Sequence, residues 1–143
     1  MVRLLLACAL ALGLAGGAHA LTPEQARAIA AGDSTDARIA ALNQAVQTAD
    51  ARTAAFVDAL ANDAVKLAGG QVLVVEGERA HDPVTGAAAA LPADAEDVVN
   101  NNLMRAALEA AQAALQLGSA EEPVRLAAAR ALLSEPDASL LLL

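Results

Sequence analysis

The chain has 143 residues and a formal net charge of −8 at pH 7, and hydrophobic residues make up 57% of it. It contains one Phe and neither Trp nor Tyr. Such an acidic surface repels phosphate backbones, and the chain lacks the aromatic rings on which bases stack. We therefore expect no binding to nucleic acid.

The first twenty residues have the pattern of a secretory signal peptide. A short cationic start at Met1–Arg3 precedes an apolar run over residues 4–14, and small residues at Ala18 and Ala20 form an A-x-A cleavage site. The pattern predicts an exported protein whose mature chain begins at Leu21. Cleavage would remove one arginine and no acid, which moves the net charge from −8 to −9. The alternative, in which the segment is kept as an anchor, stays open.

The single cysteine, Cys8, lies inside that leader, so the mature chain can form neither a disulfide nor a thiolate metal site. A lipoprotein site at Cys8 is disfavoured because the apolar run before it is too short. The mature chain of about 120 residues is long enough for one domain with a modest core.

Helix signals dominate the first half of the mature chain. The cap residue Thr22, followed by Pro23 and Gln25, predicts a short helix that ends before Gly32. A second helix is capped by Asp33, Ser34 or Thr35, and a third is predicted from near residue 50 to residue 67. The apolar faces of these two helices comprise Ile39, Leu42, Val46, Phe56, Leu60, Ala64 and Leu67.

The pattern changes after Gly69-Gly70. The short β-branched stretch 71–76 predicts a strand, and a turn at Asp82–Gly86 precedes a possible second strand at 87–91. We expect a small β-hairpin near residues 71–91 that packs on the helices, because an isolated hairpin is marginal in water.

The helical period then resumes. Residues 97–102 are either a separate helical turn or the start of a long helix that ends at Gly118, and a capping box at Ser119–Glu122 opens a last helix. The long helix has Met104, Leu108, Ala111 and Leu115 on one face; in the last helix Val124, Ala128 and Ala131 are predicted inward, and Arg125 and Arg130 outward.

The predicted fold class is mostly α: a small bundle of HEAT-like helices with an inserted short β-hairpin. Residues 36–42 and 123–132 share an arginine near the helix start followed by alanines and leucine, the pattern of a HEAT-like repeat. We expect a signal peptide at 1–20, a helical domain at 21–118 and an incomplete repeat at 119–143. Four leucines after Pro136 favour a continuation of the chain, since a domain rarely ends on exposed apolar residues.

No group of residues predicts catalysis, a cofactor or a bound metal. His81 and Asp82 are adjacent on a turn, where side chains rarely face each other, and no nucleophile lies near them in the sequence. The acids Asp94, Glu96 and Asp97 lack the spacing of a calcium loop and are better explained as helix-start acids. We expect the protein not to be an enzyme.

Two polar segments are candidates for docking a partner protein. The first comprises Asp82, Pro83, Thr85 and Gly86, and the second comprises Asn100, Asn101 and Asn102. Caps or turn residues that bond the local backbone are the alternative role for the asparagines. The helix faces carry acids and Gln rather than a lysine stripe, so we expect no direct lipid binding by the mature domain.

Four segments follow one another in a specific order: Leu21–Arg27 directly after the leader, the Asp82–Gly86 turn, Leu91–Asn102 and the final repeat-like helix. In this order they resemble the N-terminal extracytoplasmic region of the urea ABC transporter permease subunit, a relative of branched-chain amino-acid permeases.

The resemblance implies attachment to the inner membrane in the full-length relative, with a second permease, a periplasmic solute-binding protein and cytoplasmic ATPases as partners. It assigns no substrate-binding role to either polar segment. No membrane-spanning segment follows within this sequence, so we expect an interaction domain without the channel part. A free-standing periplasmic HEAT-like scaffold or protein-binding module is the alternative.

Overall fold

The computed structural model describes residues 21–119 and 121–134. This part of the chain is rich in helix and carries a small antiparallel sheet, in agreement with a mostly α fold class. Its elements are α1 (Pro23–Ala31), α2 (Thr35–Gln47), α3 (Ala51–Ala61), β1 (Val65–Ala68), β2 (Gln71–Glu76), β3 (Arg79–His81), β4 (Ala88–Ala89), β5 (Glu96–Asp97), α4 (Asn102–Gln116) and α5 (Glu122–Ser134). The predicted signal peptide, Cys8 and the terminal leucines lie outside the described residues.

The sheet is larger than the predicted hairpin. Its five strands are antiparallel neighbours in the order β4-β3-β2-β1-β5. Tight turns at Gly69–Gly70 and at Gly77 join β1 to β2 and β2 to β3, and all three glycines have positive φ. The predicted second strand at 87–91 contains β4, but β4 pairs with β3, which the sequence analysis did not predict, and not with β2.

The third helix is shorter than predicted, because the predicted end at residue 67 is wrong. α3 ends at Ala61, and Asp63 adopts a left-handed conformation with φ 54°. The chain then reverses into β1, in which Leu67 pairs with Val72 of β2. The glycine pair after β1 allows the chain to fold back, so strand pairing overrides the helical spacing of Ala64 and Leu67.

The helix starts follow the predicted capping chemistry. The hydroxyl of Thr22 accepts from the amide of Gln25 at 3.1 Å, and the Gln25 side chain accepts from the Thr22 amide at 3.0 Å. Ser34 is the cap of α2. The predicted capping box at Ser119 is displaced, since its hydroxyl accepts from Glu121 and α5 begins one residue later.

Helix α4 is central to the packing, because it contacts α2, α3 and α5, while α1 packs against α2 and the first two strands. The predicted inward residues Leu42, Phe56, Met104 and Leu108 are all buried. In α5, Ala131 is exposed, contrary to the prediction, and Leu132 packs against the core instead. The buried residue of this helix is Ala128, and around the helix axis Leu132 lies about 40° from it on one side while Ala131 lies about 60° from it on the other.

Across residues 21–119 and 121–134, we find no helix whose length and apolar character together would let it cross a bilayer.

Candidate partner-docking site

The segment Asp82–Gly86, called the 82–86 turn below, links β3 to β4 and is held by its own hydrogen bonds. One carboxylate oxygen of Asp82 accepts from the amides of Val84 and Thr85, both at 2.8 Å. The Asp82 carbonyl accepts from the Gly86 amide at 2.8 Å, and the Thr85 hydroxyl accepts from Ala87 at 3.2 Å. The turn therefore has one well-defined conformation.

The pKa of Asp82 reflects these bonds. Burial alone would raise it, but the amides of Thr85 and Val84 stabilise the carboxylate, and the positive charge of Arg52 adds to their effect. The net result is a pKa below the ordinary value. The carboxylate is thus charged at neutral pH and fixed in place by the backbone.

Exposure divides the turn into an anchored side and a free side. Pro83 is buried, and Asp82 and Val84 are half-buried, whereas Thr85 and Gly86 are exposed. The turn packs through its first half and presents its second half to solvent.

A cleft of about 170 Å³ lies beside the anchored side. One wall is the start of α1, with Pro23 and Arg27, and the other is formed by Gly70, Val72 and the first half of the 82–86 turn. The hairpin turn at Gly70 and the 82–86 turn therefore face the same opening.

Two arginines flank this region, and sequence reasoning did not single out either one. The guanidinium of Arg27 lies over Gly70, 3.4 Å from where a Cβ would stand. That of Arg52 lies over Gly86, where the corresponding distance is 2.8 Å. Because glycine has no side chain, each guanidinium can lie against bare backbone. The two glycines were visible in the sequence, but the arginines that cover them are distant along the chain.

The second candidate segment is placed differently. The side chain of Asn100 is only 6% exposed. Its amide donates to the carbonyl of Leu60 at 3.0 Å, and its oxygen accepts from Arg38 at 2.7 Å. Asn100 therefore joins α2 to the end of α3 inside the protein.

Its two neighbours lie at the start of α4. The Asn101 oxygen accepts from the Met104 amide at 2.9 Å and so caps the helix, and its amide donates to the hydroxyl of Thr35 at 2.8 Å. Asn102 is the first helical residue and is exposed. The triplet thus comprises a buried connector, an exposed helix cap and an exposed first helical residue.

The two candidate segments contact residues at opposite ends of α3. Arg52, beside the 82–86 turn, is near the start of the helix, and Leu60, bound by Asn100, is near its end. At a rise of 1.5 Å per residue these positions are about 12 Å apart along the helix axis. The structure does not bring the segments together into one site.

The other candidate residues form no reaction centre in the described part of the chain. His81 pairs through its backbone in the sheet, and within residues 21–119 and 121–134 no hydrogen bond joins its ring to Asp82. Asp97 forms an ion pair with Lys66. No cluster of three His, Cys, Asp or Glu side chains in those residues is arranged to hold a metal ion.

Comparison with protein-family models, with curated proteins and with solved structures found no match to the chain.

Proposed function

We propose that this chain is the periplasm-facing N-terminal domain of a urea ABC transporter permease and that it acts as an interaction domain. In this proposal the 82–86 turn docks on a partner protein, and the domain contributes no chemistry of its own. The ordered resemblance of the sequence segments supports the family, and the helix-rich fold agrees with the HEAT-like helices expected from it.

The observation that carries the docking role is the construction of the 82–86 turn. Its conformation is fixed by its own hydrogen bonds, while Thr85 and Gly86 are exposed. A partner that binds a pre-formed turn has less conformational entropy to overcome than one that must order a flexible loop. The same segment is among the most specific parts of the resemblance.

We assign Asn100 and Asn101 to the support of the fold rather than to docking. Asn100 has almost no surface to offer, and Asn101 uses its side chain to cap α4 and to bond Thr35. Asn102 is the member of the triplet with a side chain open to a partner.

The proposal is tested by binding of the full exported chain to two purified probes. These are the periplasmic urea-binding protein of the same organism and the urea permease pair in nanodiscs. Interferometry is run with the natural chain and with Thr85→Trp, which places a large uncharged side chain on the exposed half of the turn. Thr48→Trp is the matched control, since Thr48 is also exposed but lies at the end of α2.

The proposal predicts binding to at least one probe, a loss of about tenfold or more in affinity for Thr85→Trp, and a change within about twofold for the control. Absence of binding to both probes contradicts the transporter assignment and favours the free-standing scaffold. Equal binding by Thr85→Trp and the natural chain contradicts the docking role of the turn.

A further inference from the structure

We infer that the 82–86 turn and its two flanking arginines, Arg27 and Arg52, form a receptor for a carboxylate-bearing, acidic segment of a partner protein. The inference rests on the proposed docking role of the turn and adds the chemistry of the partner. It begins from the distribution of positive charge over the surface of an acidic chain.

Most of the other cationic groups of the described residues are already engaged. Lys66 pairs with Asp97, and Arg105 pairs with Asp63. Arg38 donates to the carbonyls of Ile29 and Val99 and to Asn100, and Arg125 donates to the carbonyl of Ser119. These charges are held within the domain and are not available to a partner.

Four arginines make no hydrogen bond or ion pair with any residue of 21–119 or 121–134: Arg27, Arg52, Arg79 and Arg130. Two of them, Arg27 and Arg52, approach the same turn from different helices. One lines the cleft with Asp82, and the other lies over Gly86. This convergence distinguishes them from Arg79 and Arg130.

The glycine beneath each guanidinium leaves it room and takes none of its N–H donors. A guanidinium without a hydrogen-bond partner keeps N–H groups for a carboxylate, which it can bind through two parallel hydrogen bonds. A Cβ on Gly86 would stand 2.8 Å from the Arg52 nitrogen and would displace it.

One carboxylate, Asp82, lines the cleft, and the positive charge of Arg52 acts on it from beyond salt-bridge distance. Its Oδ1 already accepts two backbone amides, and no salt bridge joins it to either arginine within the described residues. An incoming carboxylate would therefore meet free N–H donors. Acidic side chains on a partner satisfy them, whereas a basic partner would be repelled.

The test is an NMR titration of the full exported chain, with the arginine side-chain Nε–Hε signals as the readout. The probe is an oligo-L-glutamate peptide, with an oligo-L-lysine peptide for comparison. Arg27→Glu and Arg52→Glu are the site variants. Arg79→Glu and Arg130→Glu are matched controls, because they make the same charge change at exposed arginines elsewhere.

We expect oligoglutamate to shift the Arg27 and Arg52 signals, and oligolysine to leave them unchanged. Each site variant is expected to weaken oligoglutamate binding by about tenfold, and each control by about twofold or less. The inference is overturned if the peptide shifts neither signal, or if the control variants lose as much affinity as the site variants.

A second measurement separates this inference from the proposed function. If the urea-binding protein or the permease pair binds the chain and Thr85→Trp abolishes that binding while Arg27→Glu and Arg52→Glu do not, the inference is overturned and the proposed function stands. If neither transporter probe binds, yet oligoglutamate binding depends on both arginines, the inference stands and the transporter assignment is lost.

Discussion

Arg38 donates a hydrogen bond to the side-chain oxygen of Asn100 at 2.7 Å, across 62 positions of the chain. The same guanidinium donates to the carbonyls of Ile29 and Val99 at 2.8 and 2.9 Å. Its partners are neutral oxygens, and burial lowers the pKa of Arg38, although an arginine stays charged at any physiological pH. The Arg38 guanidinium therefore connects the end of α1, the start of α2 and the segment before α4.

Replacing Asn100 with Ala should destabilise the domain by about 2 kcal/mol, because it leaves the Leu60 carbonyl and one Arg38 donor without their partner. Guanidinium chloride unfolding of the chain from Leu21 onward measures the change. Asn102→Ala is the control, and its effect should stay within about 0.5 kcal/mol because that side chain is exposed. Equal stability of the two variants would mean that the buried connection has no energetic role.

The cap of α4 gives a second prediction. Asn101→Ala removes the acceptor for the Met104 amide and should cost about 1 kcal/mol. Asn101→Asp keeps an oxygen at the cap and loses only the donation to Thr35, so its stability should lie above that of the alanine variant. The same unfolding measurement ranks the two. An aspartate variant no more stable than the alanine variant would contradict the capping role.

The Arg52 guanidinium over Gly86 makes no hydrogen bond or ion pair within the described residues, so it should move aside at little cost when a Cβ is added. Gly86→Ala should therefore cost roughly 1 kcal/mol, the strain of a side chain at positive φ. In the double variant with Arg52→Ala the two losses of unfolding free energy should add within about 0.5 kcal/mol.

Gly77 supplies the control for that cycle. It also has positive φ, but no atom lies within 4 Å of the Cβ that alanine would add. Gly77→Ala combined with Arg52→Ala should therefore be additive within about 0.5 kcal/mol. A Gly86 cycle that departs from additivity by more than the Gly77 cycle would show that the Arg52 guanidinium is held in place rather than free to move.

The helix cap at Asp50 predicts a specific pH dependence. The Thr53 amide stabilises the carboxylate against the opposing effect of burial, and with the Thr53 hydroxyl it holds the pKa of Asp50 below its ordinary value of 3.8. A carboxyl whose pKa is lowered by folding stabilises the protein above its unfolded pKa. That contribution is lost as the pH falls through the folded value.

Asp50→Asn tests this, since asparagine also caps helices but carries no charge. The free energy of unfolding of the natural chain should fall more steeply than that of the variant between about pH 5 and about pH 2. Calorimetry or denaturant unfolding at several pH values gives both curves. Parallel curves would show that the Asp50 charge contributes nothing.

The sequence was sufficient for features that depend on neighbouring residues. The capping box at Thr22, the stop at Gly32 and the buried face of α4 from Met104 to Ala111 all follow from local spacing, and all three are confirmed. Local rules cover these cases because the interacting residues lie within about four positions of one another.

The sequence was insufficient where distant residues decide the structure. Val65–Ala68 continues the helical spacing of Phe56 and Leu60, and only its pairing with β2 makes it a strand. The sequence also gave no sign that Asn100 would meet Arg38, or that Arg27 and Arg52 would meet glycines of two different turns. The polar segments could be identified, but their partners could not.

Amide hydrogen exchange of the chain from Leu21 onward, free and bound to whichever of the two transporter probes captures it, tests docking through the 82–86 turn most directly. Binding through that turn predicts slower exchange at Val84 to Ala87 and unchanged exchange at Val99 to Leu103, at the other end of α3. Protection confined to Val99–Leu103, or an exchange pattern that the bound probe leaves unchanged, would contradict it.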